Sequence, residues 1–292
     1  MYDDCSNCGC TLLNQFYMVS GKAFKMNVQW GEQVDYTLNL HEEFTQKVNS
    51  ISMNNFLGKP IQLRFDGVIK CVSCDKQIKK SFQQGFCWDC FNSAPEAAVC
   101  IMKPELCTAH IDGGVESKCK NHNRDQIVYL TSSDVIKVGV TGDSIQNYQD
   151  GDVLPRWIDQ GATAGIVLAV CPNRYEAGRL EVALKSAFAD KMNWRKMLKN
   201  EIDENIDLEE KKWELEETLP SDLTQYFSDH KQAAYINYPV LDFPTKLKSL
   251  SFDKEAIIEG VLKGIKGQYL LLDNNRVLNI RKHTGYILGF DG

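Results

Sequence analysis

The sequence lacks long apolar segments. No run of about eighteen apolar residues, the minimum for a transmembrane helix, occurs in its 292 residues. The first residues, MYDDCSNCGCTLLNQ, begin acidic and contain no long apolar core, so we expect no secretory signal. These two absences exclude a membrane-spanning helical protein and favour a cytoplasmic one.

An excess of positive charge is also missing. The net charge is −6, from 33 lysines and arginines against 39 aspartates and glutamates, which does not favour nucleic-acid binding. The acids are, however, concentrated in residues 200–217, which hold nine acids and two lysines, so the rest of the chain is close to neutral. We interpret this stretch as the solvated face of an acidic helix. It offers a surface that a protein partner could use.

Cysteine is abundant, with eleven residues in the chain. Without a signal peptide, cysteines in pairs favour metal ligation over disulfides. Cys71 and Cys74 form one CxxC pair, and Cys87 and Cys90 form another after twelve residues. Two such turns can aim four thiolates at one tetrahedral ion. The spacing predicts a structural zinc site of the zinc-ribbon type.

A second set of candidate zinc ligands follows the first. It contains Cys100, Cys107, His110, Cys119 and His122, and two pairs in it repeat the spacing of two intervening residues. Five candidates compete for four positions. We expect Cys107, Cys119 and His122 to bind, with either Cys100 or His110 as the fourth ligand.

The fold class that we predict is α+β, with six segments. The first contains Cys5, Cys8 and Cys10, three thiols that alone make an incomplete metal site. The two β-rich segments at the ends have alternating patterns, and we expect them to close one small barrel. The predicted segments are a cysteine-rich extension at 1–19, a β-rich segment at 20–66, a zinc-binding insert at 67–124, an α/β domain at 125–198, an acidic helical region at 199–232 and a β-rich segment at 233–292.

The α/β segment begins with VYLTSSDVIKVGVT, residues 128–141, which predicts a hairpin. Lys137 and Gly139 share one face of its second strand, and glycine there allows close approach of a neighbour. LPRWIDQGA predicts a helix from Pro155 that ends at Gly161. AGIVLAV predicts a buried strand. In the next predicted helix, residues 176–191, Glu181 lies in the apolar stripe, where a carboxylate needs a partner, water or a metal.

This order of elements resembles the GIY-YIG nucleases in their divergent branch. Tyr129 matches the first motif tyrosine, and the KVG segment containing Lys137 stands where the family has YIG. Arg156 and Glu181 match the family's helix arginine and its metal-binding glutamate. The resemblance implies phosphodiester cleavage, in which Tyr129 or a water starts the attack, Arg156 holds the phosphate, and Glu181 holds Mg²⁺ or Mn²⁺. Two departures from the motifs bear on activity: the first motif lacks its glycine, and lysine or valine replaces the second tyrosine.

The whole chain, from about residue 20 to 288, resembles an uncharacterised bacterial family catalogued as a domain of unknown function, number twenty-seven ninety-seven. The resemblance rests on segments such as GKPIQLRFDGVIKCVSC, GFCWDCF, CIMKPELC and GVLKGIKGQYLLLDNNRVLNIRK. It implies no activity.

Three functions therefore stay open. The first is a metal-dependent nuclease on DNA or RNA with Tyr129, Lys137, Arg156 and Glu181 in its site. The second is a non-catalytic, zinc-stabilised nucleic-acid-binding protein. The third is a protein-interaction scaffold that uses the acidic helix. A basic and aromatic barrel surface would favour the first two. The candidates for that surface are Lys263, Lys266, Tyr269, Arg276, Arg281, Lys282 and Tyr286.

Overall fold

A computed structural model describes residues 19–43, 45, 47–112, 122–142, 148–185, 188 and 193–292. The N-terminal cysteines Cys5, Cys8 and Cys10 and the predicted ligand Cys119 lie outside these ranges. In these ranges the fold is mixed α+β with two sheets and few helices, which confirms the predicted class. Within the described ranges, no helix has the length and apolar character needed to cross a membrane.

The first six and the last five strands of the described chain form a larger sheet, and the four strands between them form a smaller one. In chain order they are β1 (Val19–Ala23), β2 (Asn27–Gln29), β3 (Asp35–His41), β4 (Val48–Ser52), β5 (Pro60–Lys70), β6 (Gln77–Ile78), β7 (Gln126–Ser132), β8 (Ile136–Thr141), β9 (Ala164–Cys171), β10 (Ala234–Tyr235), β11 (Lys248–Leu250), β12 (Ile257–Lys266), β13 (Tyr269–Leu272), β14 (Arg276–Asn279) and β15 (Tyr286–Asp291).

The helices are short and lie mainly in the middle of the chain. The α-helices are α1 (Trp88–Ser93), α2 (Ala109–Asp112), α3 (Pro155–Gln160), α4 (Arg174–Leu184), α5 (Trp194–Leu198) and α6 (Leu208–Glu216). Single turns of 3-10 helix lie at Met53–Phe56, Pro95–Ala97, Val99–Ile101, Pro104–Leu106, Thr224–Tyr226 and Arg281–His283.

The larger sheet combines both ends of the chain. Its strand order is β11-β14-β13-β12-β5-β15-β1-β3-β2, with β4 on β3 and β6 on β5. The last strand, β15, lies between β1 and β5 and is antiparallel to both. The expected union of the two β-rich segments is therefore confirmed. Within the described residues the sheet stays open between β11 and β2, so it is a curled half-barrel and not a closed barrel.

The C-terminal hairpin forms as its turn chemistry predicts. Strands β13 and β14 are antiparallel, and Asn274 and Asn275 in the connecting turn have φ of 54° and 61°. Asparagine tolerates this left-handed region better than most residues.

The basic surface predicted for the half-barrel is wrong at two positions. Lys266 is 0% exposed, and its ammonium donates a hydrogen bond to Asn200 Oδ1 at 2.8 Å. Tyr286 is only 5% exposed, and its hydroxyl donates a hydrogen bond to Asp253 Oδ1 at 2.6 Å. The last three residues of β12, which include Lys266, are all buried, so both faces of the strand are covered at this end. Alternation alone therefore does not reveal that Lys266 is buried.

The smaller sheet has the order β10-β9-β7-β8, with β7 antiparallel to both β8 and β9. The predicted hairpin, helix and buried strand are confirmed as β7–β8, α3 and β9. Helix α3 ends at Gly161 with φ of 75°. Helix α4 begins after Asn173, whose side chain accepts a hydrogen bond from the Glu176 amide at 2.9 Å. The predicted helix runs to residue 191, whereas α4 ends at Leu184. Residues 186–187 and 189–191 of that prediction lie outside the described ranges.

The two sheets share one hydrophobic core. Ile127, Tyr129 and Trp157 belong to the same buried cluster as the inner face of the half-barrel. Polar bonds reinforce this contact, because the buried Asp159 of α3 accepts from Lys25 Nζ at 2.6 Å and from Gln268 Nε2 at 2.8 Å. The half-barrel thus fixes the position of α3, which carries Arg156.

Candidate functional site

The four side chains that the sequence assigns to catalysis line one cavity of about 430 Å³. Tyr129 comes from β7, Lys137 from β8, Arg156 from α3 and Glu181 from α4. We call this space the candidate cavity. Its walls bring together a phenol, two cations and a carboxylate that are distant in sequence.

Tyr129 packs against the backbone of the neighbouring strand. It stands opposite Gly139 in the β7–β8 ladder, and a Cβ at Gly139 would lie 2.5 Å from the Tyr129 oxygen. Any larger residue would therefore displace the phenol. Tyr129 is only 1% exposed, and Gln160 donates a hydrogen bond to its oxygen. Burial raises the pKa of Tyr129, and the nearby guanidinium of Arg156 opposes that rise.

Arg156 occupies the first turn of α3, directly after Pro155. Trp157, the next residue, packs so closely on β9 that a Cβ at Gly165 would lie 2.4 Å from its ring. This contact fixes the helix rotation and directs Arg156 to the cavity. Among the side chains that the structure describes, Arg156 has no ion-pair partner.

Glu181 is partly buried in the cavity wall. Within the described part of the chain, no hydrogen bond or ion pair holds its carboxylate. Burial raises the pKa of Glu181, and the charge of Glu105 raises it further, whereas the charges of Lys185 and Lys137 lower it. A carboxylate in this situation is available to a cation.

Glu105 is a cavity residue that the sequence does not reveal. It lines the candidate cavity, and its Oε2 atom is buried without a hydrogen-bond partner in the described residues. Its segment rests on Gly178 of α4, where a Cβ would lie 2.1 Å from the Glu105 amide nitrogen. Gly178 lies one helical turn before Glu181. The close contact therefore brings a second carboxylate from the insert to the same wall.

Arg174, a second residue whose role the sequence does not predict, forms hydrogen bonds that connect the insert to the α/β unit. Its guanidinium donates to the carbonyl oxygens of Cys100 at 2.8 Å and Ile101 at 3.1 Å, and to Gln126 Oε1 at 3.2 Å. Burial lowers the pKa of Arg174. No sequence pattern marks this residue, because all three acceptors come from distant segments.

The first predicted ligand set comes together. The sulfurs of Cys71, Cys74, Cys87 and Cys90 all lie within 4.8 Å of one another, an arrangement that could hold a metal such as zinc. A tetrahedral zinc with bonds of about 2.3 Å separates its sulfurs by about 3.8 Å, and the Cys74 and Cys87 sulfurs are 3.8 Å apart.

Backbone amides donate hydrogen bonds to two sulfurs of this cluster. The Cys87 amide donates to the Cys71 sulfur at 3.2 Å, and the Cys90 amide donates to the Cys87 sulfur at 3.4 Å. Although burial opposes it, such backbone donors lower the pKa of Cys71 to about 6. Neighbouring thiols raise the pKa of Cys74 and of Cys90, so of these three cysteines the backbone favours the thiolate form that a metal needs only at Cys71.

The second set comes together in part. Cys100, Cys107 and His122 have ligand atoms within 4.8 Å of one another. His122 Nδ1 is 3.3 Å from the Cys100 sulfur and 3.7 Å from the Cys107 sulfur. Among the described residues, His110 is not in this group, and its ring stacks on Tyr175 at 4.1 Å. The structure therefore brings Cys100, rather than His110, to the cluster.

Comparison with known proteins places the chain in a family. A family model described as "Protein of unknown function (DUF2797)" matches residues 58–288, a span that includes the insert, the candidate cavity and most of the half-barrel. No curated protein and no solved structure matches the chain. The chain belongs to the family of proteins of unknown function DUF2797.

Proposed function

We propose that the protein is a metal-dependent nuclease of the GIY-YIG kind, acting on nucleic-acid phosphodiesters in the candidate cavity. One observation carries the proposal. Four residues selected from motif positions, Tyr129, Lys137, Arg156 and Glu181, all line the same cavity. The order of the smaller sheet, with β7 between β8 and β9, supports the proposal because it places the first two motifs side by side.

The charges of the cavity suit a phosphodiester. Arg156 can donate two parallel hydrogen bonds to phosphate oxygens, the geometry that guanidinium provides and ammonium does not. Lys137 and Lys185 line the same space and add positive charge. In a partly desolvated site these cations stabilise the extra negative charge of the transition state.

The carboxylates suit a divalent metal. Glu181 has no partner within the described residues, and Glu105 presents a buried oxygen without one. These two side chains would hold Mg²⁺ or Mn²⁺, with water completing the coordination shell. The ion would supply charge neutralisation at the leaving oxygen.

The environment of Tyr129 favours water as the attacking group. The phenol is buried and its pKa is raised, so it stays protonated at neutral pH. A protonated, enclosed phenol is a poor nucleophile. We assign Tyr129 a positioning role, in which it holds Gln160 and packs beside Arg156 at the cavity wall.

We also propose that both cysteine clusters bind zinc in structural roles. Four thiolates around one ion leave no open position for a substrate. In the second cluster, Cys119 is the candidate for the fourth ligand beside Cys100, Cys107 and His122, because it stands three positions before His122, the spacing of a ligand pair. The loop that presents Glu105 lies between Cys100 and Cys107, so this zinc would fix that loop.

A second function, nucleic-acid binding without cleavage, is favoured by one feature. Lys185, Lys137 and Arg174 line the same cavity as Glu181, and their positive charges oppose the rise in its pKa that burial causes. If they neutralise the carboxylate, the cavity is an anion site that needs no metal.

A cleavage assay distinguishes the two. Labelled single- and double-stranded DNA and RNA are incubated with the protein and Mg²⁺ or Mn²⁺. We expect metal-dependent cleavage by the wild type and a cleavage rate at least about 100-fold lower in Glu181→Gln. The control is Glu176→Gln, which should change the rate little, because the Glu176 carboxylate lies on the same helix but outside the cavity. Cleavage that survives Glu181→Gln would contradict the metal role. Binding without cleavage would support the second function.

A further inference from the structure

The four-cysteine cluster lies beside a group of aromatic rings in which Trp88 is exposed and Phe82 and Phe91 are half-buried. Trp88, between two of the predicted zinc ligands, is 57% exposed. Its ring centroid lies 5.1 Å from that of Phe82 and 5.9 Å from that of Phe91. We call Phe82, Trp88 and Phe91 the ribbon platform. A tryptophan this exposed, on a turn that the proposed zinc would hold, gains little from burial, so its ring faces are available to a ligand.

The ribbon platform is continuous with the candidate cavity. Phe91 lines a neighbouring cavity of about 570 Å³ together with Val99 and Met102, whose side chains are largely exposed. Met102 and Lys103 line both this apolar cavity and the candidate cavity. A chain-like ligand that stacks on the ribbon platform can therefore extend over apolar surface to Glu181 without leaving the protein.

Positive charge flanks this path. Lys79 and Lys80 are exposed and have no ion-pair partner within the described residues. They line a cavity of about 600 Å³ with Arg281 and Lys282. Gln83 lines both this basic cavity and the apolar one. The chain as a whole has a net charge of −6, so this group of positive side chains differs in sign from the chain's overall charge.

We propose that the ribbon platform and its lysines bind single-stranded nucleic acid and deliver it to the candidate cavity. Exposed rings stack on unpaired bases of any sequence, while neighbouring lysines follow the phosphates. A duplex hides the faces of its bases, and an acidic protein partner would not require the exposed rings. This assignment of substrate rests on the proposed nuclease function, but binding can be measured without cleavage.

The test uses fluorescence anisotropy of a labelled single-stranded oligonucleotide with full-length Glu181→Gln, which prevents cleavage. In that background, Trp88→Ala should weaken binding at least about fivefold, the loss of one stacked base. The matched control is Trp30→Ala, which removes a ring that is 41% exposed on β2's side of the half-barrel. It should leave the dissociation constant unchanged. Zinc content is measured for each variant, to show that the ribbon remains folded.

A second variant tests the charges without touching the rings. Lys79→Glu with Lys80→Glu should weaken binding and lower the slope of log Kd against log salt concentration by about 1.4, the value for two lost phosphate contacts. The control is Lys246→Glu with Lys248→Glu, two exposed lysines near the far edge of the larger sheet.

The outcomes separate the inference from the proposed function. Equal affinity for the Trp88 and Trp30 variants, or tighter binding of the duplex, overturns the inference even if the wild type cleaves. Binding of poly-glutamate that also depends on Lys79 and Lys80 overturns it in favour of an acidic protein partner. Ring-dependent binding with no cleavage by the wild type would retain the inference and defeat the nuclease proposal.

Discussion

Replacement of Gly178 by alanine tests how the insert reaches the candidate cavity. Gly178 lies inside α4, where alanine normally stabilises a helix by about 1 kcal/mol relative to glycine. At this position, however, the added Cβ would lie 2.1 Å from the Glu105 nitrogen and 2.4 Å from the Pro104 carbonyl carbon. Both atoms are backbone, so neither can rotate away, and the insert has to move by about 1 Å or more to reach ordinary contact distance.

The expected balance is destabilising. Overpacking of this kind costs about 1–3 kcal/mol, which exceeds the gain in helix propensity. After the gain of about 1 kcal/mol is subtracted, we expect the free energy of unfolding to fall by up to about 2 kcal/mol. Because the displaced segment carries Glu105, cleavage should fall at least about tenfold beyond any loss of folded protein.

Urea denaturation and the cleavage assay measure the two effects. Ala183→Gly, at an exposed position of the same helix, reports the helix propensity alone and should leave cleavage unchanged. If Gly178→Ala instead raises the stability by the amount that Ala183→Gly lowers it, and retains cleavage, then the insert does not dock on α4 and Glu105 has no place in the cavity.

Three further predictions concern the metals, the pH dependence and the phenol. Mass spectrometry of the purified protein should find two zinc ions per chain, and Cys74→Ser and Cys107→Ser should each remove one; a zinc-free protein would contradict both sites. The raised pKa of Glu181 means that the native state holds its proton more tightly than the unfolded chain, so ionisation destabilises the fold as pH rises above the ordinary value of about 4.3. In buffer without divalent metal or chelator, Glu181→Gln should therefore stabilise the protein more at pH 7 than at pH 4, and an equal effect at both would refute the shift. Gly139→Ala should lower the free energy of unfolding by about 1–3 kcal/mol, because its Cβ would lie 2.5 Å from the Tyr129 oxygen and 2.6 Å from the nearest ring carbon, and the loss should shrink in Tyr129→Ala.

Features encoded in local spacing were predictable from the sequence. A CxxC pair requires only a tight turn, so the four ligands beginning with Cys71 could be selected from their spacing alone. The hairpin that contains Lys137 follows from alternation and its polar turn, and Pro155 and Gly161 delimit α3. The four cavity residues required more than spacing, since the motif positions of a known nuclease family had to be matched.

Features that depend on long-range packing were not predictable. Glu105 reaches the cavity only because Gly178 lets two backbones approach, and neither residue stands in a pattern that marks the contact. Lys266 has the sequence context of a surface cation, yet it is buried with Asn200 as its hydrogen-bond partner. Arg174 donates hydrogen bonds to backbone carbonyl oxygens, and every residue has a carbonyl, so the sequence does not show which ones it contacts. In each case the partner lies far along the chain, and composition says nothing about it.

The proposed nuclease function depends above all on a divalent cation bound in the candidate cavity beside Arg156. Anomalous diffraction from crystals soaked in Mn²⁺ would locate such an ion. We expect an anomalous peak in the cavity within about 2.2 Å of a Glu181 carboxylate oxygen, and its loss in Glu181→Gln. A cavity without manganese in crystals that bind the ion elsewhere, or a peak that persists in Glu181→Gln, would contradict the proposal.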